Sequence, residues 1–178
     1  MLSPIEIFCC YAHEDRLLLQ RLLNHLKVLQ LQGLIQIWSD FDINAGVEWE
    51  KEIKTHLEAS QIVLLLVSAD FLASEYCYSK EMKRAMERHE QKEARVIPIL
   101  LRHTYWAGAP FAKLQFLPTK AKPITDRSWS VDEALTDVVE QISTVVKDLR
   151  LQRALSEANK LAAEKHHEEA LHLYEDHE

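Results

Sequence analysis

"QIVLLLVS", residues 61–68, is the stretch that decides the fold. From Ile62 to Val67 the run is aliphatic at every position. A strand with one wet face alternates apolar and polar residues, whereas a strand covered on both faces does not. This run therefore reads as a strand in the middle of a parallel sheet, with helices above and below.

The neighbouring segments fit that frame. "IEIFCCY" (5–11) reads as a strand, and "EDRLLLQRLLNHLKVLQLQG" (14–33) as a helix with leucines at helical spacing and a terminating Gly33. "LIQIWSD" (34–40) is the next strand, followed by the loop "FDINAG" and a helix over 47–60. "SEYCYSKEMKRAMERHEQKE" (74–93) reads as a helix and "ARVIPILLR" (94–102) as a buried strand interrupted by Pro98. Residues 103–118 show no clear period, "KPITD" (122–126) reads as a short fifth strand, and 130–150 form an amphipathic helix capped by Ser130. The order βαβαβαβ(loop)βα predicts an α/β fold: a doubly wound, five-stranded parallel sheet with a C-terminal helical appendage. Ligands of such sheets sit outside the carboxyl ends of the strands, which here are Tyr11–Asp15, Trp38–Gly46, Ser68–Leu72 and Arg102–Trp106. There is no GxGxxG and no GxxxxGK[ST], so neither glycine-rich phosphate cradle is present.

Composition narrows the classes further. The 178 residues carry a net charge of −7, and no Lys/Arg cluster is interleaved with aromatics, which argues against nucleic acid as a partner. No apolar run approaches the roughly 20 residues a membrane span needs, and "MLSPIEIF" lacks the basic and long apolar regions of a signal peptide. The three cysteines are Cys9, Cys10 and Cys77; Cys9 and Cys10 are adjacent in a strand and point to opposite faces. A disulfide framework is not expected, and a cytoplasmic location is. The histidines show no zinc-type spacing and read as solvated, so no metal site is expected.

Two segments are expected, 1–149 and 150–178. The second is polar, with Ala158, Leu161, Ala170 and Tyr174 spaced as in the opening of a tetratricopeptide-like repeat and a turn at Lys165–His167. The alternative is a single helix extending the one before it.

Four stretches carry a resemblance: "IEIFCCYAHED", "WSDFDINAGVEWEKEI", "ASQIVLLLVSADFLASEYCYSKEM" and "ARVIPILL". In order and spacing they resemble the TIR (Toll/interleukin-1 receptor) domain of bacterial type, over about five-sixths of the chain. That resemblance implies a flavodoxin-like sheet and one of two occupations. Some members bind other TIR domains as adaptors, and others cleave NAD+ at the nicotinamide–ribose bond in defence or signalling. The enzymes use a glutamate on the third helix, and the matching position is Glu81. The resemblance also implies substrate contacts from Tyr11, His13, Trp38, Asp40, Ile43, Tyr76, Cys77 and Tyr78, and self-association through the 40–46 loop. NAD+ would be the substrate, with no cofactor and no metal. Three departures stand out. Cys77 replaces a tryptophan found in many family enzymes, Cys10 a serine, and Phe41–Asp42 a basic residue of the loop.

One carboxylate suits this chemistry. Nicotinamide leaves NAD+ as a neutral molecule, so no acid need protonate it, unlike the leaving group of an ordinary glycoside. A single anion can bind the ribose hydroxyls and offset the positive charge of the transition state. Each candidate also has an ordinary reading. Glu81 lies among Lys80, Lys83, Arg84 and Arg88, where a solvated, loosely paired helix carboxylate is common. Asp15 or Glu14 caps a helix, Cys77 packs as a small apolar residue, Trp38 is core or pocket wall, Trp49 packs its helix, and Trp106 and Trp129 cover the sheet.

Overall fold

The structure is a computed structural model that describes residues 2–40 and 48–175, without the side chains of Cys77, Tyr78, Tyr174 and Glu175. The strands are β1 (Ile5–Cys10), β2 (Ile35–Trp38), β3 (Ile62–Val67) and β4 (Arg95–Leu100). The helices are α1 (Arg16–Leu31), α2 (Trp49–Ala59), α3 (Ala69–Ala73), α4 (Lys80–Glu90) and α5 (Val131–Glu175). The strands form one sheet in the order β2-β1-β3-β4, and every pairing is parallel.

The aliphatic run at the centre behaves as its composition requires. All six residues of β3 are buried. Ile62, Leu64 and Leu66 join Ile5, Ile7, Cys9, Ile97 and Ile99 in a core beneath α1 and α5. Val63, Leu65 and Val67 join Phe8, Cys10, Val96 and Leu100 in a second core beneath α2, α3 and α4. Cys9 and Cys10 thus face opposite layers, as the period of a strand demands.

Helix α1 ends where the sequence stops it. Gly33 takes a left-handed φ of 71°, its N–H donates to Gln30 O at 3.0 Å, and Leu34 N–H donates to Leu29 O at 3.1 Å. This pair of bonds closes the helix end and turns the chain directly into β2.

Two expectations are corrected, and of the two readings left open for the C-terminal segment the single helix is the one seen. The sheet has four strands among the described residues, not five. In the place of a fifth, Leu117 makes one parallel bridge to Ile99, and the N–H groups of Ile124 and Thr125 donate to Leu100 O and Leu101 O. The ladder cannot spread, because Pro118 and Pro123 lack an N–H and Thr119 N–H is taken by Asp137 Oδ2 at 2.9 Å. The expected helix over 74–93 divides into a 3₁₀ turn (Glu75–Tyr78) and α4, because Ser74 and Ser79 turn their hydroxyls onto backbone carbonyls and Ser79 caps α4. No turn interrupts the C-terminal segment at Lys165–His167: α5 runs unbroken from Val131 to Glu175.

Pro98 lies in β4, the edge strand beyond which no fifth strand forms. Its carbonyl accepts from Leu117 N–H at 2.8 Å, and the neighbouring Val96 N–H donates to His89 Nδ1 at 3.0 Å. A proline is tolerated here because its missing N–H faces away from the ladder.

Candidate functional site

The carboxyl ends of β1, β2 and β3 meet the start of α4, and most of the candidate residues lie there. Trp38 closes β2 at 9% exposure. It lies between two rings, Phe8 at 5.0 Å and His56 of α2 at 4.4 Å, both stacked. Tyr11 follows β1 and meets His13 edge-on at 5.9 Å, with His13 exposed. Asp40 follows β2, and its Oδ1 is buried with no hydrogen-bond partner among the described residues. Tyr76, on the 3₁₀ turn, brings its hydroxyl to 3.3 Å from Cys10 Sγ, either atom able to donate. Phe8, Cys10, Trp38, Asp40, Trp49 and Tyr76 enclose a cavity of about 40 Å³.

Glu81 stands in the first turn of α4 and is half-buried. Two of the four cations that the sequence places around it, Arg84 and Arg88, go elsewhere. Arg84 forks onto Glu58, with Nε–Oε1 at 2.5 Å and Nη2–Oε2 at 3.0 Å. Arg88 is buried and donates to the carbonyls of Leu57 and Ser60 at 2.6 and 2.8 Å, holding the C-terminal end of α2. Among the described residues, no ion pair or side-chain hydrogen bond holds the Glu81 carboxylate. Burial pushes the Cys10 thiol and the Tyr76 hydroxyl upward in pKa, and the charge of Glu81 adds a smaller push in the same direction. Asp40 acts in the same sense. Cys10 is pushed up to about 12.

The structure thus brings together Tyr76, Asp40, Trp38 and Tyr11 around Cys10, with Glu81 close by. It leaves His13 on the surface, and Trp49, at 53% exposure, on the rim. Ile43 lies outside the described residues, as do the side chains of Cys77 and Tyr78 and most of the 40–46 loop. Trp106 stacks on Phe116 at 4.3 Å, while Trp129 donates to Pro123 O at 2.9 Å and lies under Lys122; both cover the body.

The sequence reading missed one cluster. Asp15 is buried and makes no helix-cap bond. Instead Ser68 Oγ and Arg102 Nη2 both donate to its carboxylate, and Arg102 reaches Asp70 Oδ2 at 3.1 Å. The cluster ties the carboxyl ends of β1, β3 and β4 together. Its only signal in the sequence is that Asp15, Ser68, Asp70 and Arg102 all fall at strand ends of one sheet.

Comparison with known proteins now settles the family. A family profile described as "TIR domain" matches residues 7–135. The chain belongs to the TIR-domain family. The uncharacterized protein y4lF of Sinorhizobium fredii (strain NBRC 101917 / NGR234) is 47% identical over 138 residues, which is 77% of this chain. This TIR chain spans only 42% of that relative's length. Among solved structures, the TIR domain of the Toll-related receptor TRR-2 from Hydra magnipapillata superposes with a TM-score of 0.50 at 23% identity. That match covers 62% of this chain and 81% of the other. The crystal structure of the RPS4 and RRS1 TIR domain heterodimer gives a TM-score of 0.51 at 12% identity, covering 80% of this chain and 97% of that one. At such identities the likeness is one of fold. Among the described residues no helix is long and apolar enough to cross a membrane, and no group of three or more His, Cys, Asp or Glu side chains could hold a metal ion.

Proposed function

We propose that this TIR domain cleaves NAD+ at the nicotinamide–ribose bond, with Glu81 as the catalytic carboxylate. The observation that carries the proposal is the state of Glu81. It is half-buried, without an ion pair among the described residues, and its field acts on an aromatic-lined cavity at the carboxyl edge of the sheet. The two arginines nearest in sequence, Arg84 and Arg88, are committed to Glu58 and to the carbonyl of Leu57, which leaves the carboxylate open to a ligand. Asp40 adds a buried acceptor oxygen without a partner, the kind of group a ligand donor satisfies.

In this reading the glycosidic bond between the ribose C1′ and the nicotinamide nitrogen breaks, and its electron pair leaves with the neutral nicotinamide. Glu81 accepts hydrogen bonds from the ribose hydroxyls and offsets the positive charge on the sugar ring. A water oxygen then bonds to C1′ and loses its proton to solvent. Replacing Glu81 by Gln keeps the shape and removes the charge. Nicotinamide release by concentrated protein is expected to fall about 10²-fold or more. Equal release by wild type and Glu81→Gln would sink the proposal.

A second reading, a non-enzymatic adaptor that pairs with other TIR domains, is favoured by the size of the cavity. About 40 Å³ among Phe8, Cys10, Trp38 and Tyr76 is too little for a nicotinamide ring. The RPS4 and RRS1 TIR domains pair as a heterodimer, and for this chain the same kind of self-association is proposed. An adaptor would bind a second TIR domain in sedimentation while releasing no nicotinamide at any concentration.

A further inference from the structure

The smallness of the cavity has an identifiable cause. About 40 Å³ is room for a water molecule or two, whereas pockets for small ligands start near about 300 Å³. Tyr76 closes it from the α4 side, with its hydroxyl on Cys10 Sγ and its ring against Phe71 at 6.5 Å. We propose that Tyr76 is an internal occupant of the ring pocket, latched by its hydrogen bond to Cys10, and that a planar substrate ring enters by displacing it. The inference rests on the NAD+ reading of the site, because the displacing ring is taken to be nicotinamide.

Several features make the exchange physically reasonable. The latch is a single bond to a thiol, a weak hydrogen-bond partner. The 3₁₀ turn carrying Tyr76 is flanked by Ser74 and Ser79, both in extended conformation. The cap of α4 does not depend on the tyrosine side chain, since Ser79 Oγ accepts from Met82 N–H at 3.3 Å. A side-chain rotation of Tyr76 therefore opens the cavity without unwinding the helix that positions Glu81. The space released is faced by Trp49, whose half-exposed ring on the rim offers a stacking surface to a flat ring. Both latch groups are protonated at neutral pH, their ordinary values of 9.0 and 10.0 being raised further by burial, so the bond is one between neutral partners.

The test uses the two buried cysteines of β1 as opposed reporters. Cys10 lies behind the latch, and Cys9 faces the other layer beneath α1 and α5. N-ethylmaleimide labelling of each is followed by mass spectrometry in the full chain and in its Tyr76→Phe and Tyr76→Ala variants. The ratio of Cys10 to Cys9 labelling is expected to rise about tenfold in Tyr76→Ala and less in Tyr76→Phe, which keeps the ring and loses the bond. General loosening of the fold raises both rates and leaves the ratio flat. A flat ratio in Tyr76→Phe and Tyr76→Ala overturns the latch. Nicotinamide release is measured on the same samples, with an increase expected in Tyr76→Phe. A raised ratio with no release from any sample keeps the latch and overturns the NAD+ reading. A flat ratio with Glu81-dependent release does the reverse.

Discussion

Asp15 shows how a residue's burial changes its meaning. In the sequence it reads as a helix cap, a surface role; in the fold it is 1% exposed and answers to Ser68 and Arg102 from two other strand ends. No local pattern reveals this, because its partners lie 53 and 87 residues away. The pair is unequal, since the Asp15 side chain is fully buried while Arg102 is 39% exposed. Removing the arginine strands a buried charge, so Arg102→Ala is expected to cost about 2 kcal/mol, discounted for its exposure. Asp15→Asn keeps a partner for Ser68 and leaves Arg102 with Asp70 and water, at about 1 kcal/mol. Urea titration of the two variants checks the order, and a larger loss in Asp15→Asn would contradict it. Cys10 gives a pH prediction. Burial raises its folded pKa from 9.0 to about 12, so the folded state holds its proton more tightly than the unfolded chain. The stabilisation is fully present below pH 9.0 and is lost as pH rises toward about 12. Tyr76, raised well above 10.0, acts in the same sense. The slope of stability against pH in that range is expected to be shallower in Cys10→Ala. Glu81 was legible through the resemblance alone; that its neighbouring arginines serve α2 and Glu58 instead was not, because those partners come from another helix.

At the scale of elements, the strands were legible wherever both faces are covered. The run from Ile62 to Val67 needs helices on two sides, and it has them. The fifth strand was misread because "KPITD" has strand-like residues but follows Pro118 and itself contains Pro123. Propensity is local, while a ladder needs a donor at every second residue. The sealing of β4 depends on His89 being neutral, since its Nδ1 accepts from Val96 N–H. Burial, with help from Arg95 and Lys113, lowers its pKa below 6.5. The sign follows: the unfolded chain takes up the proton first, so this contribution is present above pH 6.5 and is lost as pH falls through the folded pKa. His89→Gln can still accept the Val96 N–H without titrating. Its thermal stability is expected to change less than that of wild type between pH 7 and pH 5.

The whole molecule is a compact α/β body with one long helix leaving it. The early part of α5 is core, with Leu135, Val138, Ile142 and Val146 fully buried. Among the described residues the last hydrogen bonds from α5 to the body are those of Arg150 and Arg153, which donate to Ser3 O at 3.3 and 3.1 Å. Beyond them Leu155, Leu161, Leu171 and Leu173 are exposed by half or more. Ending the chain after Arg153 is expected to change folding stability by no more than about 0.5 kcal/mol, as measured by urea titration; a larger loss would show that the distal helix supports the body. Periodicity alone could not choose between a repeat and a single helix, because both place small residues at the same spacing. The two edges of the sheet, β2 and β4, are unlike. On β4, Pro98 offers no donor and the open groups of Val96, Pro98 and Leu100 are engaged by His89, Leu117 and Ile124. On the other side, among the described residues, β2 pairs with β1 alone. Copies joined strand to strand can therefore meet only β2 to β2, through a two-fold axis that spends the available edge of both. Such growth terminates at a pair, so any longer filament of this domain must be built from helices and loops.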